Sequence, residues 1–161
     1  MPKKLSHFGR DGRARMVDVS AKASTERTAS ASAFVAMKPA VLRALPDNPK
    51  GDPLEVARLA GIMAAKKTSE LIPLCHPIPL TQAAVEIEQF RDRHALRILA
   101  SVKTKAETGV EMEALTAAAI AALTIYDMTK AIDRGAFIES VRLLLKSGGK
   151  SGSFAAPRRV R

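Results

Sequence analysis

The stretch "TGVEMEALTAAAIAALTIYDMTKAID", residues 108–133, constrains the fold more than any other part of the chain. From Ala114 to Tyr126 it is apolar except for Thr116 and Thr124, with Glu113 and Asp127 as flanks. That run falls short of the ~20 residues that span a bilayer. Thr108 and Glu111 stand at the T-x-x-E spacing of a capping box, which predicts a long helix opening there. It is expected to end near Asp133, with Gly135 as its stop. A helix apolar all round its middle has to be covered on more than one side. One small sheet covers one side, and the simplest cover for the other is a second subunit. An oligomer is therefore expected.

The remaining segments supply that sheet. "MVDVS" and "TASASAFVAM" are predicted strands, the second alternating small apolar and polar residues at period two. Pro39 opens a short helix, "PAVLRAL", that stops at Pro46. Asp52, Pro53 and Glu55 read as N-cap, first and third positions of a helix running to about Lys67. Prolines at 73, 77 and 79 exclude a helix through "TSELIPLCHPIPL" and make it an ordered loop. "AAVEIEQF" and "HALRILASVKT" alternate on either side of "RDRH" and predict a hairpin. "ESVRLLLKSGG" is a final strand entering a glycine-rich loop. Strand pairs and helices segregate, so the fold class is α+β, a mostly antiparallel sheet with helices on one side.

Length, charge and cysteine usage narrow the function classes. The chain of 161 residues is long enough for one domain with a real core. Residues 14–153 are assigned to it, with basic tails at 1–13 and 154–161. The net charge of +10 invites a nucleic-acid reading. Residues 1–15 hold five basic residues and one acid, and residues 146–161 hold five basic residues and none. The body between keeps 16 basic and 15 acidic residues and is near neutral. Aromatic residues are only 4%, which disfavours a base-stacking platform. The expectation is no nucleic acid and no membrane, although tails that bind RNA or DNA, or attract a small anion, stay open. One cysteine, Cys75, excludes an internal disulfide and fits a reducing compartment. The beginning of the chain, "MPKKLSHFGRDGR", has no apolar signal core, so a cytoplasmic protein is expected.

Several side chains could carry chemistry. Asp127 and Lys130, at i and i+3, share a helix face. They are either an ordinary surface ion pair or an acid and a base held together in a partly dry site. Glu111 has a sufficient role in the capping box, and Glu113 does not. Glu113 and Asp127 stand 14 residues apart, about 21 Å along a helix, so one substrate cannot reach both within one chain. If both ends are functional, the site draws on two subunits. Cys75 and His76 are adjacent in the proline loop, and no C-x-x-C spacing accompanies them, which argues against a zinc site. Cys75 alone is more often a small buried hydrophobe than a reactive group, and His76 reads equally as a structural or an acid–base histidine. His7 and His94 fall in a tail and a turn and receive no role. "KSGGKSG", residues 146–152, is not a Walker loop, because Leu144 stands where that motif needs glycine. It can still wrap an anion, as can Lys50 beside the helix that Asp52 opens.

Five stretches, "ARMVDVSAK", "KGD", "ARLAGIMAAKKTSELIPLCHP", "TGVEMEALTAAAIAALTIYDMTKA" and "VRLLLKSGGKSG", together resemble one family over about residues 14–153. It is the cyclic pyranopterin monophosphate synthases of molybdenum-cofactor biosynthesis (MoaC). The resemblance implies a ferredoxin-like α+β fold and a homohexamer, a trimer of dimers with sites at subunit interfaces. It implies a lyase that converts 3′,8-cyclo-7,8-dihydroguanosine 5′-triphosphate to cyclic pyranopterin monophosphate and diphosphate. By motif match, Asp127 is the catalytic acid/base and Lys130 its partner. The substrate contacts fall on Leu74, Cys75, His76, Met112 and Glu113, with Lys50, Glu111, Lys146 and Arg27 as further site positions. Glu107 stands where relatives often carry a basic residue, so no anion contact is assigned there. No resident metal is implied; magnesium arriving with the triphosphate is compatible with the chemistry, and the sequence shows no dedicated cage for it.

Overall fold

The alternation of small residues after Thr25 becomes the central strand. In a computed structural model describing residues 7–9, 11–49, 51–90 and 93–157, β1 spans Thr25–Ala36. Its odd-numbered Ala29, Ala31, Ala33 and Val35 are buried. β1 pairs antiparallel with β3 (Ala95–Ala106) on one edge and with β4 (Phe137–Ser147) on the other. β2 (Leu80–Phe90) forms the predicted hairpin with β3, and β5 (Phe154–Ala155) pairs with Leu145 and Lys146 of β4. The sheet order is β2-β3-β1-β4-β5. Short regular pairing also extends to the N-terminal side, where Phe8 bridges Ala14.

The helices are α1 (Pro39–Ala44), α2 (Pro53–Lys66), α3 (Thr68–Leu71) and α4 (Glu111–Thr129). Asp52 caps α2 as its sequence predicts, its carboxylate accepting from the N–H of Leu54 at 2.8 Å and of Glu55 at 3.4 Å. α4 lies on β1, β3 and β4, and α2 packs on α4 and β2. The result is the expected α+β, ferredoxin-like arrangement, with the helices gathered on one face of an antiparallel sheet. The close approach of α2 to α4 rests on small residues. Ala114, Ala117, Ala118, Ala121 and Ala122 of α4 are buried, and Gly61 of α2 faces them. A Cβ at Gly61 would lie 2.9 Å from the Ala117 carbonyl oxygen and 3.2 Å from the Ala121 Cβ. Val56, Leu59 and Met63 of α2 and Leu123 of α4 form an apolar outer surface of the chain.

Three local expectations are corrected. "MVDVS" is not a strand. The Asp18 carboxylate accepts from the N–H and hydroxyl of Ser20 at 2.9 and 2.7 Å, closing a local turn that competes with sheet pairing. α4 begins at Glu111 with Val110 as N-cap and no side-chain cap, so Thr108 and Glu111 form no capping box. The Glu111 carboxylate reaches Lys146 of β4 at 3.2 Å instead. At the other end α4 stops at Thr129, not near Asp133. Gly135 is not a left-handed stop; its N–H donates to the buried Asp133 carboxylate at 2.9 Å, which also holds Lys38 at 3.2 Å. The proline loop holds from Ile72 to Pro79, but the first four residues of the predicted loop, Thr68–Leu71, form the helical turn α3, because the first proline stands only at 73.

Candidate functional site

The N-terminus of α4 is where most of the candidate residues meet. Glu111, Met112 and Glu113 occupy its first turn. The proline loop passes beside it and presents Leu74, Cys75 and His76. Together they line a cavity of about 630 Å³ whose other walls include Val17, Val19, Lys22 and Thr108. A second cavity of about 710 Å³ shares Lys22, Thr108, Gly109 and Glu111 with the first. It is completed by Arg27 of β1, Lys146 of β4 and the loop Gly148–Ser151. The two volumes therefore adjoin around the start of α4.

The side chains in the first cavity are positioned by specific bonds. His76 Nε2 lies 2.7 Å from the Val17 carbonyl oxygen. A carbonyl can only accept, so Nε2 carries the proton and Nδ1 is the acceptor in the neutral ring. Glu113 is only 3% exposed. Burial pushes its carboxyl above the usual carboxylate range; its own backbone N–H opposes the rise and the charge of Glu111 adds to it. Burial likewise pushes the Cys75 thiol up, with the Glu113 charge adding to the effect. A raised thiol is a poor nucleophile at neutral pH, so Cys75 contributes shape and polarisability to the wall.

The second cavity has a basic wall. Lys146 reaches Glu111 and also donates to the Ser151 hydroxyl, which ties the strand, the helix start and the glycine loop together. Arg27 is buried and donates to the carbonyl oxygens of Ala106 at 2.8 Å and Glu107 at 3.0 Å. It clamps the turn between β3 and α4 from beneath. Gly148 and Gly149 allow the loop to lie on it. Both have positive φ, and a Cβ on Gly148 would stand 2.3 Å from the Glu26 carbonyl oxygen.

Asp127 and Lys130 lie apart from both cavities. They pair at 2.7 Å at the C-terminal end of α4, with side chains 59% and 49% exposed in the single chain. Their hydrogen bond and mutual attraction hold the Lys130 ammonium above its usual range. The Asn48 side chain donates to the Met128 carbonyl oxygen at 3.0 Å and docks the loop before α2 at this end. Lys50 falls outside the described residues. One chain thus brings together Leu74, Cys75, His76, Met112, Glu113, Glu111, Lys146 and Arg27, and leaves Asp127 and Lys130 about 14 helical residues away, on the order of 21 Å. Lys22 and His7 line the cavities too, although neither was a candidate from its sequence position. Lys22 closes the "ARMVDVSAK" stretch that carries part of the family resemblance, which could have drawn attention to it; His7 carried no local signal.

This geometry offers general acid–base groups beside a cationic wall, as a phosphorylated substrate requires. The chain's similarities agree with it. The MoaC family profile matches residues 16–149. The chain belongs to the MoaC family. A cyclic pyranopterin monophosphate synthase of Nostoc sp. is 59% identical over 155 residues, covering 95% of this chain and 92% of the relative. Proteins of the same name from Corynebacterium efficiens and Parvibaculum lavamentivorans are 58% and 51% identical, over 94% and 96% of this chain and 97% and 98% of their own lengths. Membership in the MoaC family accounts for why the cavities gather the "LCH" and "ME" stretches at one helix start. Among the described residues no group of three His, Cys, Asp or Glu side chains is arranged to hold a metal ion. Nor is any described helix long and apolar enough to cross a membrane.

Proposed function

We propose that the chain is a cyclic pyranopterin monophosphate synthase acting in molybdenum-cofactor biosynthesis. Its substrate is then 3′,8-cyclo-7,8-dihydroguanosine 5′-triphosphate, and its products are cyclic pyranopterin monophosphate and diphosphate. The observation that carries this reading is the pair of adjoining cavities at the start of α4, one acid-and-imidazole walled and one lysine-and-arginine walled. The first suits a purine-derived ring whose rearrangement needs proton transfers. The second suits a triphosphate, whose leaving diphosphate gains charge that ammonium groups offset.

In this reading Lys146, Lys22 and Lys50 bind phosphate oxygens, and Arg27 holds the wall in shape. Displacement of Glu111 by a phosphate oxygen frees Lys146 from its internal partner. His76 holds or accepts a proton at Nδ1, and Glu113, whose carboxyl burial pushes above the usual carboxylate range, faces the ring as a hydrogen-bonding group. Leu74, Cys75 and Met112 exclude water around it. Asp127 with Lys130 moves the protons of ring opening and closure, reaching the cavity from a neighbouring subunit. This requires an oligomer, and a homohexamer built as a trimer of dimers with interface sites fits it. The outer apolar surface of α2 and α4 supports a covering subunit. Magnesium, if used, would be carried chiefly by phosphate oxygens and water. A cytoplasmic setting fits a lone half-buried cysteine and a soluble nucleotide substrate.

The test is direct. Purified protein mixed with the cyclised nucleoside triphosphate is expected to release diphosphate and form a product oxidisable to a fluorescent pterin. Substrate recovered unchanged, under conditions where a relative of the same name turns it over, would reject the reading.

A further inference from the structure

We propose that His7 is a further substrate-contacting residue of this site, delivered into the first cavity by a hairpin on the N-terminal side of the domain. The inference rests on the function proposed above and adds to it a residue outside the "LCH" and "ME" stretches.

Four observations converge on it. His7 lines the first cavity together with His76, Lys22, Glu111 and Glu113. The backbone holds it there. Arg15 N–H donates to the His7 carbonyl oxygen at 2.9 Å, Gly9 N–H to the Arg13 carbonyl oxygen at 2.9 Å, and Phe8 bridges Ala14. The turn of this hairpin includes Gly12, at φ +74°, whose N–H donates to the Gly9 carbonyl oxygen at 3.1 Å. The root of the hairpin is fastened to the site itself, since the Val17 carbonyl oxygen is the acceptor for His76 Nε2 at 2.7 Å. Finally, His7 Nδ1 is shielded from solvent and has no hydrogen-bond partner among the described residues.

The last point separates two roles. A histidine kept for structure normally satisfies its buried nitrogens within the protein, because an unpaired buried polar atom is costly. His7 leaves Nδ1 unpaired among the described residues and shielded from solvent, so the part of the ring that lines the cavity, not Nδ1, is what a substrate meets. An imidazole is a compact hydrogen-bond donor and acceptor. In a cavity whose helix wall carries Glu111 and Glu113, it shares the lining with Lys22 and can meet the polar edge or the phosphate oxygens of a nucleotide-derived substrate.

The experiment compares wild-type protein, H7A, H7Q, G12V and the H7A/G12V double variant, with thermal melts alongside kcat and KM. Gly12 has no atom within 4 Å of a notional Cβ, so valine there strains only the turn. H7A is expected to lower kcat/KM at least about tenfold with an unchanged melting temperature, with partial rescue by added imidazole. H7Q, which keeps a donor and an acceptor, is expected to retain more activity than H7A. G12V is expected to cause a similar loss, and the double variant no further loss, because both remove the same contact. H7A activity within twofold of wild type, or additive losses in the double variant, would overturn the assignment of His7. An inactive wild type would instead reject the function on which it rests.

Discussion

Glu113 is acidic, almost fully buried, and placed in the first turn of a helix whose partial positive charge favours a carboxylate. Burial nonetheless wins and raises its pKa. The sign for stability follows from linkage. A carboxyl bound more tightly to its proton in the folded chain adds stability below its usual 4.5, and loses it as pH rises through the folded value. Glu113→Gln is therefore expected to be more thermostable than wild type at neutral pH, with the difference in Tm closing as pH falls to about 4.5. A pH series of melts that runs parallel for the two proteins would refute this. Asp127 and Lys130 differ in kind, since both are about half exposed in one chain. Exposed pairs add little to stability. Asp127→Ala and Lys130→Ala are expected to fold and assemble with little change in Tm, yet to lose roughly 10²–10⁴-fold in kcat. Single-turnover assays would check it, and normal turnover in either variant would reject their role.

At the scale of elements, the contact between α2 and α4 depends on the absence of a side chain at Gly61. Valine there must displace the Ala117 carbonyl or the Ala121 methyl. Overpacking of this kind costs about 1–3 kcal/mol. At roughly 2–4 °C per kcal/mol for a chain of this size, Gly61→Val is expected to lower Tm by about 2–12 °C, readable by circular dichroism. The elements also show where sequence reading works. The Asp52 cap formed because donor and acceptor lie two or three residues apart. The equally well-spaced Thr108 and Glu111 failed because Lys146, 35 positions away, took the Glu111 carboxylate. "MVDVS" failed because Asp18 and Ser20 bonded locally before any strand could pair with it.

At the scale of the whole molecule, the proposed function assigns different halves of one chemistry to the two ends of α4. A composite site between subunits predicts complementation. Asp127→Ala and His76→Ala proteins, each inactive alone, are expected to regain activity when unfolded together and reassembled, at about a quarter of sites by random pairing. Mixtures that stay inactive although mixed oligomers form would count against sharing. The outer apolar stripe of α2 belongs to the same prediction. Leu59→Glu, at a side chain 63% exposed in the single chain, is expected to lower the oligomeric mass in sedimentation and to reduce activity with it.

What the sequence determined by itself was whatever depends on neighbours along the chain: strand alternation, the cap at Asp52, the proline loop, and a helix too apolar to stand alone. Its longer motifs also named the family. The tertiary structure decided what depends on distant residues meeting. It set the buried state of Glu113, the clamp of Arg27 on the turn before α4, the partner of Lys146, and the arrival of His7 beside His76. Those contacts join segments tens of residues apart, and their energies arise from burial and from geometry that no local pattern encodes.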